Sequence, residues 1–232
     1  MSLPLVRLLQ LVSPALPVGA YTYSQGLEWA VESGLARTEA QVGEWLADML
    51  AASLACYEQP LLHQQIDAWR SGNDAREAEL NTLFIASRET AELRAETLQM
   101  GYSPVRLLVD LPAFRDLPGW AARLQALVAT AGGETAFPAI WSAAAAAWQI
   151  DPPDALSGYA WAWLENAVMA AVKAVPLGQA AGQRLLAGLA EQVPAHVAHA
   201  MTLPQPCWSN FQPGLALASA RHETQYSRLF RS

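Results

Sequence analysis

The amino-acid sequence predicts an all-α protein: a single-domain helical bundle of about nine or ten helices, with an irregular arm and a C-terminal tail. Three observations support this prediction. Apolar residues recur with the period of an α-helix along nearly the whole chain. Prolines fall between these periodic segments, where one helix would end and the next begin. No stretch alternates with period two over more than a few residues, as a half-buried strand would. We therefore treat residues 1–232 as one domain.

The first predicted helices follow from periodicity and from capping residues. Residues 3–12 place Leu5, Leu8, Leu9 and Val12 on one helical face. Ser24 is a predicted N-cap for a helix that begins near Gln25, and Thr38 is a predicted N-cap for the next helix. Pro60 is expected to kink or restart that helix.

The second half of the chain is divided mainly by prolines and glycines. Asp74 is predicted to cap a long helix that runs to Met100 and closes at Gly101, and Ser103-Pro104 restarts the chain. Further helix junctions are expected at Pro112, Pro118, Gly132-Gly133, Pro138, Pro152-Pro153 and Pro176. Residues 202–213 contain three prolines and are predicted to form the irregular arm.

The composition limits the classes of function. The chain is 53% hydrophobic and only 15% charged, whereas soluble domains are typically ~25% charged, so much apolar surface must be hidden in a core or against partners. A net charge of −7 argues against nucleic acid as a partner. Glu165 and Lys173 interrupt the longest apolar stretch, and no leader pattern opens the sequence, so no membrane partner and a cytoplasmic location are expected.

The sequence shows no convergent set of residues for catalysis, and we expect no catalytic residue, cofactor or metal ligand. His196 and His199 have helical ligand spacing, but a zinc site needs about four ligands, so the pair is interpreted as exposed and solvated. Nickel contact through His196, His199 or Cys207 stays an unsupported alternative. A phosphate-binding glycine loop is also missing.

The stretch from residue 13 to residue 28 is the most informative part of the sequence. Pro14 and Pro17 exclude a regular helix, and Gly19 permits a turn that a side chain would obstruct. The stretch is either an ordered connector between helices or a rigid segment that holds its two tyrosines and Glu28 in fixed positions.

The final residues form an apolar pair with basic neighbours. Leu229 and Phe230 lie between Arg228 and Arg231. Either this tail docks on its own domain, or it becomes ordered against another protein. We favour the second alternative, because arginine and aromatic residues are enriched at interface hot spots.

Two groups of charges have competing interpretations. Lys173 lies in an apolar segment, so it either extends along the helix to solvent, meets an anionic group on a partner, or pairs with Glu28 or Glu165. A second group is interpreted as a solvated helix face with weak ion pairs: Arg88, Glu89, Glu92, Arg94 and Glu96.

Three blocks together carry a family resemblance: residues 16–28, 168–179 and 219–232. In this order and spacing they resemble the UreF family of urease accessory proteins, and the resemblance extends over nearly the whole chain. It implies a non-catalytic scaffold, or chaperone, in nickel insertion and maturation of apo-urease. It also implies a homodimer that joins a UreD/UreH-type protein and then recruits the GTPase UreG.

The resemblance also implies which residues bind partners. Tyr21 and Arg228 match positions facing UreG, and residues 213–232 match a partner-binding tail that becomes ordered when the UreD/UreH-type protein binds. The expected partner-binding residues are Tyr21, Tyr23, Glu28, Lys173, His222, Glu223, Tyr226, Arg228, Leu229, Phe230 and Arg231. The alternatives are a regulator of GTP hydrolysis by UreG, a nickel metallochaperone and a helical enzyme.

Overall fold

A computed structural model describes residues 2–232, and within this range the chain forms helices, turns and loops without a β-strand. The all-α prediction is therefore confirmed. Eleven of the α-helices in the described range have nine or more residues, against the nine or ten helices expected. The α-helices are α1 (Leu3–Leu11), α2 (Leu27–Glu32), α3 (Glu39–Met49), α4 (Gln59–Ser71), α5 (Asp74–Ala86), α6 (Ala91–Asp110), α7 (Pro112–Arg115), α8 (Trp120–Thr130), α9 (Phe137–Ala147), α10 (Pro152–Ala174), α11 (Gln179–Ala190), α12 (Val193–Thr202) and α13 (Pro213–His222).

The core is organised around α4, α9 and α10. Helix α9 packs against α4 and α6, while α10 contacts α11 and α12. The run Ala143–Ala147 is buried, and its short side chains let the neighbouring helices approach closely. None of the helices in residues 2–232 is long and apolar enough to cross a membrane.

Helices α3 and α4 are joined without a loop. Thr38 caps α3 as predicted, because its hydroxyl accepts the Gln41 N–H and the Gln41 side chain accepts the Thr38 N–H. A π-helical segment, Leu50–Glu58, then leads directly into α4. Pro60 lies in the first turn of α4, where a missing N–H costs little.

The predicted long helix from residue 74 to residue 100 is wrong. The chain leaves the helix after Ala86, and Thr90 caps α6 by accepting the Leu93 N–H at 3.2 Å. The cap of α5 is Asn73, one residue before the predicted Asp74.

Gly101 and Pro104 lie inside α6, so the predicted break at these residues is also wrong. A Cβ atom on Gly101 would lie 2.0 Å from the main-chain oxygen of Thr135. Gly101 therefore lets α6 cross the segment that precedes α9, and its role is packing rather than termination.

Most of the later proline signals are confirmed. Pro112, Pro138 and Pro152 each occupy the first turn of a helix. The arm between α12 and α13 is irregular, as predicted, apart from one 3₁₀ turn at Gln205–Cys207.

Candidate functional site

The loop before α2 is shaped by left-handed residues. Gln25 has φ = 50° and Gly26 has φ = 76°, so α2 begins at Leu27 rather than near Gln25. Ser24 is not the cap residue, although its hydroxyl accepts the N–H of Glu28 in the first turn. A Cβ atom on Gly26 would lie 3.0 Å from the Ala218 Cβ, so Gly26 allows α13 to pack closely on α2.

The buried carboxylate of Glu28 binds the tail directly. Its Oε1 accepts the Leu229 N–H at 2.6 Å, and its Oε2 accepts the Phe230 N–H at 3.0 Å. Oε2 also lies 3.2 Å from Nε2 of His222. One side chain of α2 thus satisfies two main-chain donors of an otherwise irregular segment.

His222 lies between two carboxylates. Its side chain is 0% exposed, and Nδ1 lies 2.7 Å from Oε2 of Glu92 while Nε2 faces Glu28. Each ring nitrogen therefore lies within hydrogen-bonding distance of one carboxyl group. Arg228 donates to the other oxygen of Glu92 at 2.8 Å, so Glu92 contacts both α13 and the tail.

The last residues dock on the chain itself. Phe230 is 7% exposed and belongs to the main hydrophobic core, and the Arg231 N–H donates to the Thr22 oxygen at 2.7 Å. The buried Ser232 accepts at its main-chain oxygen from both the N–H and the hydroxyl of Ser24. Of the two alternatives considered from sequence, this structure shows the tail docked on its own domain, where Phe230 fills part of the core. Ordering of the tail against another protein stays a prediction.

Lys173 is exposed, and its ammonium lies about 6 Å from two aromatic rings. The distances to the ring centroids are 6.0 Å for Tyr21 and 5.9 Å for Phe230. Among the described residues Lys173 forms no ion pair with Glu28 or Glu165, which excludes one of the alternatives considered from sequence. We call the surface formed by Tyr21, Lys173, Leu229 and Arg231 the tail face; Leu229 is 73% exposed on it.

The structure brings most of the predicted residues to one region, where the loop before α2, the end of α10 and the tail meet. Tyr226 is fully exposed and lines a separate shallow hollow with Trp29 and Arg221. The buried members of the predicted set are Tyr23, Glu28, His222 and Phe230. The exposed members are Tyr21, Lys173, Glu223, Tyr226, Arg228, Leu229 and Arg231.

Several residues of this region were missed or misread from sequence. Glu92 and Glu96 were expected on a solvated helix face, but α13 and the tail cover them. Ser24 and Gln25 bind Ser232 and Glu96, respectively. No local pattern reveals these contacts, because each partner is more than 70 residues away in sequence.

Residues 2–232 contain no group of three or more His, Cys, Asp or Glu side chains arranged to hold a metal ion. His199 is exposed, with its Nε2 4.0 Å from the Cys56 thiol. His196 is partly buried rather than solvated, and burial, followed by the nearby His199, lowers its pKa.

The fold and this region define an all-helical protein whose tail is held by buried carboxylates on two of its helices. The sequence model of the UreF family matches residues 36–190. The urease accessory protein UreF of Azoarcus sp. strain BH72 is 66% identical over 230 residues, covering 99% of this chain and 96% of the relative. UreF of Dechloromonas aromatica strain RCB is 60% identical over 231 residues, covering 99% and 98%. The chain belongs to the UreF family of urease accessory proteins.

A fused relative adds one further comparison. The bifunctional urease accessory protein UreEF of Bordetella bronchiseptica is 45% identical over 231 residues. The match covers 98% of this chain and 52% of that protein. The relative therefore combines a UreF-like part with additional sequence of similar length.

Proposed function

We propose that this chain is a cytoplasmic, non-catalytic scaffold, acting as a homodimer, that joins a UreD/UreH-type protein and recruits the GTPase UreG for nickel insertion into apo-urease. The observation that carries the proposal is the tail face. Its exposed side chains come from the loop before α2, the end of α10 and the tail, and the Leu229 N–H of the tail is bound by Glu28. Two of its four residues, Tyr21 and Arg231, are of types enriched at interface hot spots.

The buried and exposed residues would contribute in different ways. Tyr21 and Lys173 are accessible and can touch a partner, whereas Glu28 and His222 are covered. The covered residues would act by holding the tail in one conformation, which reduces the entropy lost on binding.

The main experiment compares substitutions on the tail face with a matched substitution elsewhere. Tyr21→Ala and Lys173→Met should each weaken recruitment of UreG to the complex with the UreD/UreH-type protein by about 2 kcal/mol, or roughly thirtyfold in Kd. The control is Tyr102→Ala, because Tyr102 is 57% exposed on α6 and is not part of the tail face. Equal affinities for the Tyr21 and Tyr102 variants would contradict the proposal.

A footprinting experiment uses the fact that Lys173 is the single lysine of the sequence. Acetylation by an amine-reactive reagent therefore reports on this position, apart from the α-amino group. We expect acetylation of Lys173 to slow at least tenfold when both partners are bound. An unchanged rate in the assembled complex would show that the tail face stays open to solvent.

Arg231 supports regulation of GTP hydrolysis as a second candidate function. Its side chain is exposed and forms no ion pair within residues 2–232. An arginine supplied in trans can stabilise the charge that develops during phosphoryl transfer. The rate of GTP hydrolysis by UreG should then change when this protein is added, and Arg231→Ala should abolish that change. If the wild-type protein does not affect the rate, the regulatory function is excluded and only the scaffold function is supported.

A further inference from the structure

A deep cleft lies behind the tail face, between α6, α10 and the loop before α2. Its cavity volume, counted as the space open to the centre of a water molecule, is about 90 Å³, and Tyr21 is among its lining residues. A water needs roughly 10–15 Å³ of such space, so the cleft has room for a short organic chain of several water-sized groups. Apart from Tyr21, the residues of the tail face do not line the cleft.

Aromatic side chains form much of the wall. Phe137 stacks on Tyr159 with ring centroids 5.9 Å apart, and Trp141 meets the same ring edge-on at 5.6 Å. Phe84 and Trp163 also line the cleft. The faces of such rings attract cations, most strongly where water is excluded.

The cleft contains more carboxyl groups than cations. Glu58 is neutralised by Arg88, whose Nη1 lies 3.0 Å away, and it accepts a hydrogen bond from the Tyr159 hydroxyl. Glu96 and Glu165 also line the cleft, and neither has an ion-pair partner among the described residues.

Further acceptors point to a positively charged ligand. Asn166 lines the cleft, and its Oδ1 is buried without a hydrogen-bond donor. Glu96 receives only neutral donors, from the Gln25 amide at 2.8 Å and the Ser232 hydroxyl at 3.0 Å. The basic group of the lining is Arg88, which is already paired, so an anion would find no free cation.

We propose that this aromatic cleft binds an organic monocation, an alkylammonium or alkylguanidinium group, with its charge among Glu96, Glu165 and Asn166 and its apolar stem against the rings. A metal ion fits less well, because no three metal-binding side chains are clustered in residues 2–232. The cation could belong to a free small molecule or to a lysine or arginine side chain of a partner, which offer the same chemistry.

The protonation of Glu96 gives the proposal a pH dependence. Burial raises the pKa of Glu96 to about 7, although the hydrogen bonds from Gln25 and Ser232 and the charge of Arg88 lower it. The ionisable groups that face it are Arg88, Glu58, Tyr159 and, at the opening, Glu165. A cation favours the ionised carboxylate, so affinity should rise about tenfold between pH 6 and pH 8.

Calorimetric titration of the full chain with n-butylammonium and n-butylguanidinium tests the proposal, with the neutral 1-butanol as the size-matched control for n-butylammonium. We expect one site per chain for at least one of the cations, and at least tenfold weaker binding of the alcohol. Equal affinity for the alcohol, or no saturable binding of either cation at pH 8, would overturn the proposal.

Two variants locate the site. At pH 8, Glu96→Gln should weaken cation binding at least tenfold, and Asn166→Leu should also weaken it without altering a contact of Ser232. Glu89→Gln is the control, because Glu89 is exposed and does not line the cleft. Thermal melting checks that each variant is folded. If the folded Glu96 and Asn166 variants bind the cation as tightly as the Glu89 variant does, the assignment of the site to this cleft is wrong.

A competition experiment distinguishes the two sources of the cation. If saturating n-butylguanidinium displaces the UreD/UreH-type protein, the natural ligand is a side chain of that partner. If the complex survives with the cation bound, the cleft serves a free small molecule.

Discussion

Glu28 links three parts of the chain that are distant in sequence. It belongs to α2, accepts two N–H groups of the tail and lies 3.2 Å from the ring of His222. A short irregular segment has few hydrogen bonds of its own, so its conformation depends on such a partner. Glu28 therefore determines whether the tail face exists as one surface.

Replacement of Glu28 by Gln should release the tail. The amide of Gln can accept fewer hydrogen bonds and would present N–H groups to the N–H groups of Leu229 and Phe230. We expect a loss of about 2–4 kcal/mol in the free energy of unfolding, together with fast hydrogen exchange at both amides.

The matched control is Glu32→Gln, an exposed position on the same helix. Its effect on the free energy of unfolding should stay within about 0.5 kcal/mol. If the amides of Leu229 and Phe230 remain as protected in the Glu28 variant as in this control, the tail is held by other contacts.

For single residues, the sequence indicated which side chains matter better than it indicated what they contact. Glu28, His222 and Phe230 were all selected from the terminal blocks, but as residues that a partner would cover. These residues are buried because α13 folds back over α2. Gly26 permits the close packing of the two helices, but a glycine at this position does not by itself indicate such packing in the sequence. Glu92 looked like a surface residue because α13 and the tail, which cover it, are far from it in sequence.

Among the elements, α6 shows best where local signals mislead. Glycine and Ser-Pro usually mark helix ends, yet Gly101 and Pro104 lie within this 20-residue helix. The glycine at position 101 is explained by tertiary packing rather than by helix termination, since Gly101 lies directly against the Thr135 oxygen. The proline-initiated helices were predictable because the first turn needs no N–H from that residue.

Gly101→Ala should destabilise the chain strongly. The added methyl group would overlap the Thr135 oxygen at 2.0 Å and force α6 away from the segment before α9. We expect a loss of about 3 kcal/mol or more in the free energy of unfolding, measured by urea denaturation.

Gly188→Ala is the comparison, because Gly188 lies within α11 and an added Cβ meets nothing within 4 Å. Here alanine should stabilise the chain by about 0.5–1 kcal/mol through its higher helix propensity. If the Gly101→Ala and Gly188→Ala variants are equally stable, α6 can move away from the Thr135 oxygen at little cost in free energy.

For the whole molecule, a buried acid makes stability depend on pH. Glu77 is 1% exposed, accepts the Gln65 amide at 3.0 Å, and has a pKa raised well above 4.5, mainly by burial. The folded chain therefore holds a proton that the unfolded chain releases above about pH 4.5. This contribution to stability is complete at low pH and is lost as pH rises toward the folded-state pKa.

Glu77→Gln should remove this dependence. The stability of the variant relative to wild type should increase as the pH is raised from 5 to 8, as measured by urea denaturation at each pH. The exposed Glu44→Gln should show no such trend. A constant difference between the Glu77 variant and wild type across this range would show that Glu77 is ionised in the folded chain.

The docking of Ser232 has a practical consequence for handling the protein. Anything attached after Ser232 must leave from a fully buried residue whose oxygen is bonded to Ser24. A purification tag or fluorophore placed there would compete with the closure of the tail and mimic a binding defect. In the first described turn, Ser2 and Leu3 are exposed. Labels placed before Ser2 should therefore leave the tail face undisturbed, and binding studies are best carried out with them.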